Sequence, residues 1–221
     1  MSTKVLSYGH CLARVQLAAL ALIVALSFVA HPVQARTLHL VALGDSLTAG
    51  FGLPPGQGFP EMLEKALRAK GYDVEVGNAG VSGDTAADGL ARYDWGVPDG
   101  TDALIVELGA NDMLRGLDPA AAKASLAAIL TRAKAAHIAT LLTGMRAAPN
   151  MGADYRSRFD AIYPDLARQF GVALYPFFLD GIAADPKFNQ KDGLHPTREG
   201  VEKIVANILP AVEALLTGLK R

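Results

Sequence analysis

A chain of 221 residues has material for one domain with a sizeable core, or for two small domains at most. Its 21 basic and 22 acidic side chains nearly cancel, to a net charge of −1, and form no Lys/Arg run, which excludes the basic footprint of a nucleic-acid binder. One cysteine, Cys11, excludes an intrachain disulfide framework.

Taken in chain order, residues 1–35 read as a secretory signal. Lys4 and Arg14 are the only charges, residues 15–30 are nearly all apolar, and Val33-Gln34-Ala35 resembles a small-residue cleavage site. The apolar run is short for a membrane span and no stop-transfer flank follows it. Cys11 precedes that run, so it is not placed like a lipid-attachment cysteine. The expected product is residues 36–221, a single domain, periplasmic or secreted. It carries 19 basic against 22 acidic side chains, net −3, no cysteine, and only three histidines: His39, His137 and His195. A thiolate nucleophile is thereby excluded, and the core must stabilise the product without disulfides.

Leu38 to Leu43 predict a short buried strand that stops at Gly44-Asp45-Ser46. A Gly/Pro loop follows, and Phe59, Met62, Leu63, Ala66 and Leu67 repeat at helical spacing until Gly71. Residues 73–76 predict a second strand, a glycine-bearing loop covers 77–85, and a weak helix runs from Ala86 to about Tyr93. The glycines at 77, 80 and 83 do not match a dinucleotide fingerprint, and no G-K-[ST] follows them. Residues 103–108 predict a third strand, residues 119–136 a helix opened by Pro119, and residues 139–143 a fourth strand. Tyr155, Phe159, Ile162, Leu166 and Phe170 mark a helix that Pro164 should kink or split. A short strand at 172–175 and a long final helix, bent by Pro210, complete the chain. Strands alternating with helices predict an α/β fold: a five-stranded parallel sheet in a three-layer α/β/α sandwich of flavodoxin-like type.

Ser46 falls at the carboxyl end of the first strand, the edge where open α/β sheets keep their ligands. The same turn also suits a plain strand-to-helix cap. It is not a G-x-S-x-G elbow, because Thr48 stands at the second glycine position. Asp192 and His195 are three apart just before the last helix, close enough for the carboxylate to fix the imidazole tautomer and leave the other nitrogen as a base. An Asp-Gly turn beside a surface histidine also accounts for that spacing, and D-G pairs commonly mark turns. His39 within a strand and His137 at a helix end read as structural. Asn111 after the third strand and Gly83 in the glycine loop offer donors for a developing oxyanion, with Ser46 N–H as a third. No His/Cys/carboxylate cluster has metal-ligand spacing, so neither metal nor cofactor is expected.

Four blocks now stand in order: Gly44-Asp45-Ser46-Leu47, Ser82-Gly83-Asp84-Thr85, Gly109-Ala110-Asn111-Asp112 and Asp192-Gly193-Leu194-His195-Pro196. In this arrangement the chain from Thr37 to Arg221 resembles the SGNH, or GDSL, hydrolase family. Glu107-Leu108 and Ala161-Ile162-Tyr163-Pro164 make it most similar to the bacterial periplasmic arylesterase, acyl-CoA thioesterase and lysophospholipase group. The resemblance implies Ser46 as nucleophile, Asp192 and His195 as its triad partners, and Ser46 N–H, Gly83 and Asn111 as the oxyanion hole. Gly83 is preferred to Gly80 because it lies inside the S-G-x-T block, and Ala110 departs from the glycine frequent in that group. The implied substrates are aryl and acyl esters, thioesters or lysophospholipids, taken as small-molecule or lipid-like partners by a monomer with no stable membrane insertion once the signal is cleaved. Within the loop 144–154, Met145, Arg146, Pro149 and Asn150 are candidates for the acyl site or for a plain surface connection, whereas Phe177 and Phe178 read as core. Two alternatives stand beside this reading: a carbohydrate O-deacetylase on the same scaffold, and a non-catalytic periplasmic anion-binding protein.

Overall fold

In the computed structural model, which describes residues 36–219, the apolar runs pair side by side as one parallel sheet. Its strands are β1 (Leu38–Gly44), β2 (Val74–Gly80), β3 (Ala103–Glu107), β4 (Ala139–Thr143) and β5 (Ala173–Tyr175), in spatial order β2-β1-β3-β4-β5. This is the flavodoxin-like doubly wound order, whose crevice opens at the carboxyl ends of β1 and β3. β3 is the middle strand and all five of its residues are buried, which is why it reads as an unbroken apolar run rather than an alternating one. The signal expected at residues 1–35 lies outside the described residues.

Nine helices among the described residues connect and cover these strands: α1 (Ser46–Ala49), α2 (Phe59–Ala69), α3 (Ala86–Ala91), α4 (Tyr93–Gly96), α5 (Ala110–Leu114), α6 (Pro119–Ala135), α7 (Ala153–Asp160), α8 (Ile162–Phe170) and α9 (Arg198–Gly218). Right-handed crossovers send the chain leftward through α2 and rightward through α3, α6 and α8, so these fall on opposite faces. The contacts agree. α2 packs with α9 on one face, and α6 packs with both α3 and α8 on the other.

The largest boundary difference from the sequence expectation is in β2. β2 runs on to Gly80 because its pairing with β1 continues to Gly44 opposite Gly80; the expected loop starts only there. The helix marked by Tyr155 to Phe170 is split, as Pro164 suggested, into two helices that meet at Ala161, and Pro164 sits in the first turn of α8, where its missing N–H breaks no helical bond. Pro210 lies inside α9, which continues unbroken through it. The four- and five-residue helices α1, α4 and α5 are too short to show a periodicity.

Candidate active site

The site grows from the end of β1. The Asp45 carboxylate caps α1, accepting from Leu47 N at 2.9 Å, and this sets Ser46 as the first residue of the helix. Beneath the turn lies Glu107, the last residue of β3 and fully buried. Its Oε2 accepts from the Thr48 hydroxyl at 2.7 Å and from Asp45 N at 3.4 Å. Gly44 is a glycine for want of space, since a Cβ there would run into the Thr48 and Glu107 side chains. Burial, and then the neighbouring Asp45 charge, raise the Glu107 carboxyl well above its ordinary pKa. Burial also pushes Asp45 up to about 6, against the pull of Leu47 N–H and the Asn111 amide.

Asn111, in α5, aims its side-chain amide at the same turn. Nδ2 donates to Asp45 Oδ2 and to the Asp84 carbonyl, each at 3.0 Å, so both of its hydrogens are engaged and an incoming oxyanion must share or displace one. Gly109 takes the positive φ of 113° that opens α5, which leaves Ala110 in ordinary helical geometry and makes glycine unnecessary there. Gly83 has φ +90°, and its carbonyl accepts from Arg115 Nη2 at 2.5 Å. Gly80, the rival glycine, ends β2 against the backbone of Ala49. Arg92, 7% exposed, ties this loop to the serine turn: Nε donates to Asp84 Oδ2 at 2.5 Å and Nη2 to the Gly44 carbonyl at 2.7 Å.

From the far end of the chain, His195 meets Ser46. Nε2 lies 2.9 Å from Ser46 Oγ, and Nδ1 lies 2.7 Å from Asp192 Oδ2. A proton on Nδ1 facing the carboxylate makes Nε2 the acceptor, so the serine hydroxyl donates to it and can be deprotonated by it. Asp192 Oδ1 also accepts from Leu194 N and His195 N, at 2.9 and 3.0 Å. These two backbone bonds, followed by the imidazole contact, lower its pKa to about 2. The carboxylate therefore stays ionised beside the base.

The acyl-site candidates divide. Met145 is 3% exposed and packs in the core, so it presents little surface to a ligand. Arg146 is exposed, with its guanidinium 4.9 Å from the Phe177 ring centre, while Phe178 is fully buried. Pro149 and Asn150 are exposed on a 3₁₀ turn, Pro149–Met151, and Met151 borders Gly116, next to the Arg115 that holds Gly83. His39 pairs with Glu75 at 3.4 Å in a cavity of about 580 Å³ at the opposite end of the sheet, lined also by Glu64, Arg68 and Asp99. That cavity touches none of the residues above, and it lacks a serine–histidine pair. Among the described residues no group of three His, Cys, Asp or Glu is placed to hold a metal ion. Reading the sequence alone missed Glu107, Arg92 and Arg115 as parts of the site, because each is brought there only by long-range packing.

A doubly wound sheet with a Ser–His–Asp relay and an asparagine amide at its carboxyl edge defines a hydrolase of the serine type. Residues 42–203 match the GDSL-like Lipase/Acylhydrolase family. The chain belongs to that family and is an ester-hydrolysing enzyme. It is 40% identical over 184 residues to Esterase TesA of Pseudomonas aeruginosa, covering 83% of this chain and 92% of the relative. It is also 40% identical over 169 residues to Thioesterase 1/protease 1/lysophospholipase L1 of Escherichia coli strain K12, covering 72% and 76%. Among solved structures, AlinE4, an SGNH-hydrolase family esterase, superposes with a TM-score of 0.69 at 47% identity, over 83% of this chain and 98% of that one.

Proposed function

We propose that the chain is a secreted serine esterase that cleaves aryl and acyl esters, thioesters and lysophospholipids through an acyl-Ser46 intermediate. The observation that carries this is the continuous relay from Ser46 Oγ to His195 Nε2 and from His195 Nδ1 to Asp192. His195 takes the Ser46 proton as Oγ attacks the ester carbonyl, then delivers it to the leaving alkoxide or thiolate. Ser46 N–H, Gly83 N–H and the Asn111 amide receive the oxyanion. Water, deprotonated by the same imidazole, then releases the acid. The substrate range follows the names of the relatives, an esterase and a thioesterase/lysophospholipase. The loop 144–154, with Arg146, Pro149 and Asn150, is assigned to the acyl side because Met151 reaches Gly116 and the Tyr155 hydroxyl donates to the Asp112 carbonyl at 3.4 Å. Removal of residues 1–35 would deliver residues 36–221 to the periplasm or medium as a monomer. No helix among the described residues is long and apolar enough to cross a membrane.

The test is hydrolysis of p-nitrophenyl esters from acetyl to palmitoyl by purified residues 36–221, beside Ser46→Ala and Asn111→Ala. Ser46→Ala is expected to abolish turnover, and Asn111→Ala to lower kcat by about 10²–10³. Turnover that survives Ser46→Ala overturns the acyl-serine mechanism. Activity confined to acetylated sugars would instead favour the deacetylase.

A further inference from the structure

His195 stands on the loop between Gln190 and Pro196, outside any helix or strand. Asp192 organises that loop internally, but an internally tidy loop can still rock as a body against α1. The Ser46–His195 hydrogen bond alone does not prevent this, because the net contribution of one such bond, made at the expense of bonds to water, is small. Two residues with no assigned role connect the two sides. Phe51 is 50% exposed, unusual for so large an apolar side chain, and its ring lies 4.4 Å from the His195 ring, centre to centre, at 36°. Its backbone N–H donates to the Ser46 carbonyl at 3.1 Å, and its own carbonyl accepts from Gln190 Nε2 at 2.7 Å. The same Nε2 donates to the Pro196 carbonyl at 3.0 Å, and Gln190 N donates to the His195 carbonyl at 2.7 Å. Gly52, with φ +74°, leaves room for the amide, since a Cβ there would strike Gln190 Oε1.

We propose that Phe51 and Gln190 form a clamp that sets the Ser46–His195 geometry, making both of them positioning residues for the hydrolysis proposed above. The contacts close a circuit: Ser46 carbonyl to Phe51 N–H, Phe51 carbonyl to the Gln190 amide, Gln190 to the backbone on both sides of the His195–Pro196 bond, and His195 back to Ser46 Oγ. The Phe51 ring supplies a second restraint by covering one face of the imidazole, where its π-face also favours the imidazolium formed during attack. Breaking the circuit leaves each triad residue present and frees the distance between base and nucleophile. Misplacement of about 1 Å at such a site costs on the order of 10² in rate.

The experiment compares wild type, Gln190→Met (similar volume, no donors), Phe51→Leu and the double variant. Phe51 is half exposed, so Phe51→Leu keeps the question open should Gln190→Met fold poorly. On p-nitrophenyl acetate each single variant is expected to lose ~10–100-fold in kcat with KM within about twofold. The double variant is expected to lose little more than the worse single one, because cutting one circuit twice is not additive. Exchange with water of the His195 ring proton facing Asp192, followed by NMR, gives a readout independent of turnover, and it is expected to speed up in both singles. Losses that multiply in the double variant, or kcat and exchange rates that match wild type, overturn the clamp. A wild type that hydrolyses no ester but still shows the exchange difference overturns the esterase reading and leaves the clamp standing.

Discussion

At the scale of single residues, the two carboxyls under the serine turn, Asp45 and Glu107, are acids held out of water. Glu107 Oε2 is satisfied by the Thr48 hydroxyl and Asp45 N, while Oε1 is buried without a partner. A carboxylate so placed is costly, and the native state answers by keeping the proton. Its folded pKa is raised, so the native protein holds a proton where the unfolded chain has released it. The stabilisation is complete below the unfolded carboxyl pKa of ~4.3 and is lost as pH rises through the folded value. Asp45, pushed up to about 6, works in the same direction. Glu107→Gln retains an oxygen for Thr48 and Asp45 N and removes the titration. Urea midpoints measured from pH 4 to 8 are expected to shift steadily in favour of the variant as pH rises. A difference between variant and wild type that is flat in pH would show that Glu107 ionises normally.

At the scale of elements, local pattern and long-range packing separate cleanly. Strands β1, β3 and β4 were legible because each is a short apolar run bounded by turn residues. Asp192 and His195 were legible because three residues of spacing suffice to make them neighbours. The arrangement of Arg92 across Asp84 and Gly44, and of Glu107 under Thr48, depends on where β3 and α3 land in the fold, which no window of sequence records. The burial of Met145 is hidden for the same reason: it follows β4 into a loop, yet its side chain packs in the core. The end of β2 shows what such packing does for the site. Gly80 abuts the backbone of Ala49 so closely that an added Cβ would force two backbone segments apart. Since α1 carries Ser46, Gly80→Ala should cost ~1–3 kcal/mol of stability by overpacking and also move the serine relative to His195. Melting and ester turnover are therefore expected to fall together. Loss of stability with kcat intact would show that α1 shifts as a unit without disturbing the relay.

At the scale of the whole molecule, the sheet has a direction. Ser46, Gly83 and Asn111 follow the carboxyl ends of β1, β2 and β3, and the last loop brings in Asp192 and His195. At the opposite ends of the strands His39 faces Glu75 at the surface, beside a cavity that none of these site residues lines. In the function proposed above the core sets stability and the carboxyl edge sets chemistry, so mutations in the two places should act on different observables. Leu104 is fully buried near the start of β3, paired in register with Val41 and Thr140, and remote from the edge where Glu107 ends the strand. Leu104→Ala should cost ~2–5 kcal/mol through lost burial and the cavity left behind. That is a large share of the ~5–15 kcal/mol available to a domain, and residues 36–219 contain no cysteine that could form a disulfide to compensate. Turnover counted per reactive serine, titrated with an organophosphonate at low temperature, should stay within about twofold of wild type, because the carboxyl edge keeps its geometry in every molecule that is folded. A kcat that falls in step with stability, molecule for molecule, would mean that the floor of the site extends down β3 beyond Glu107.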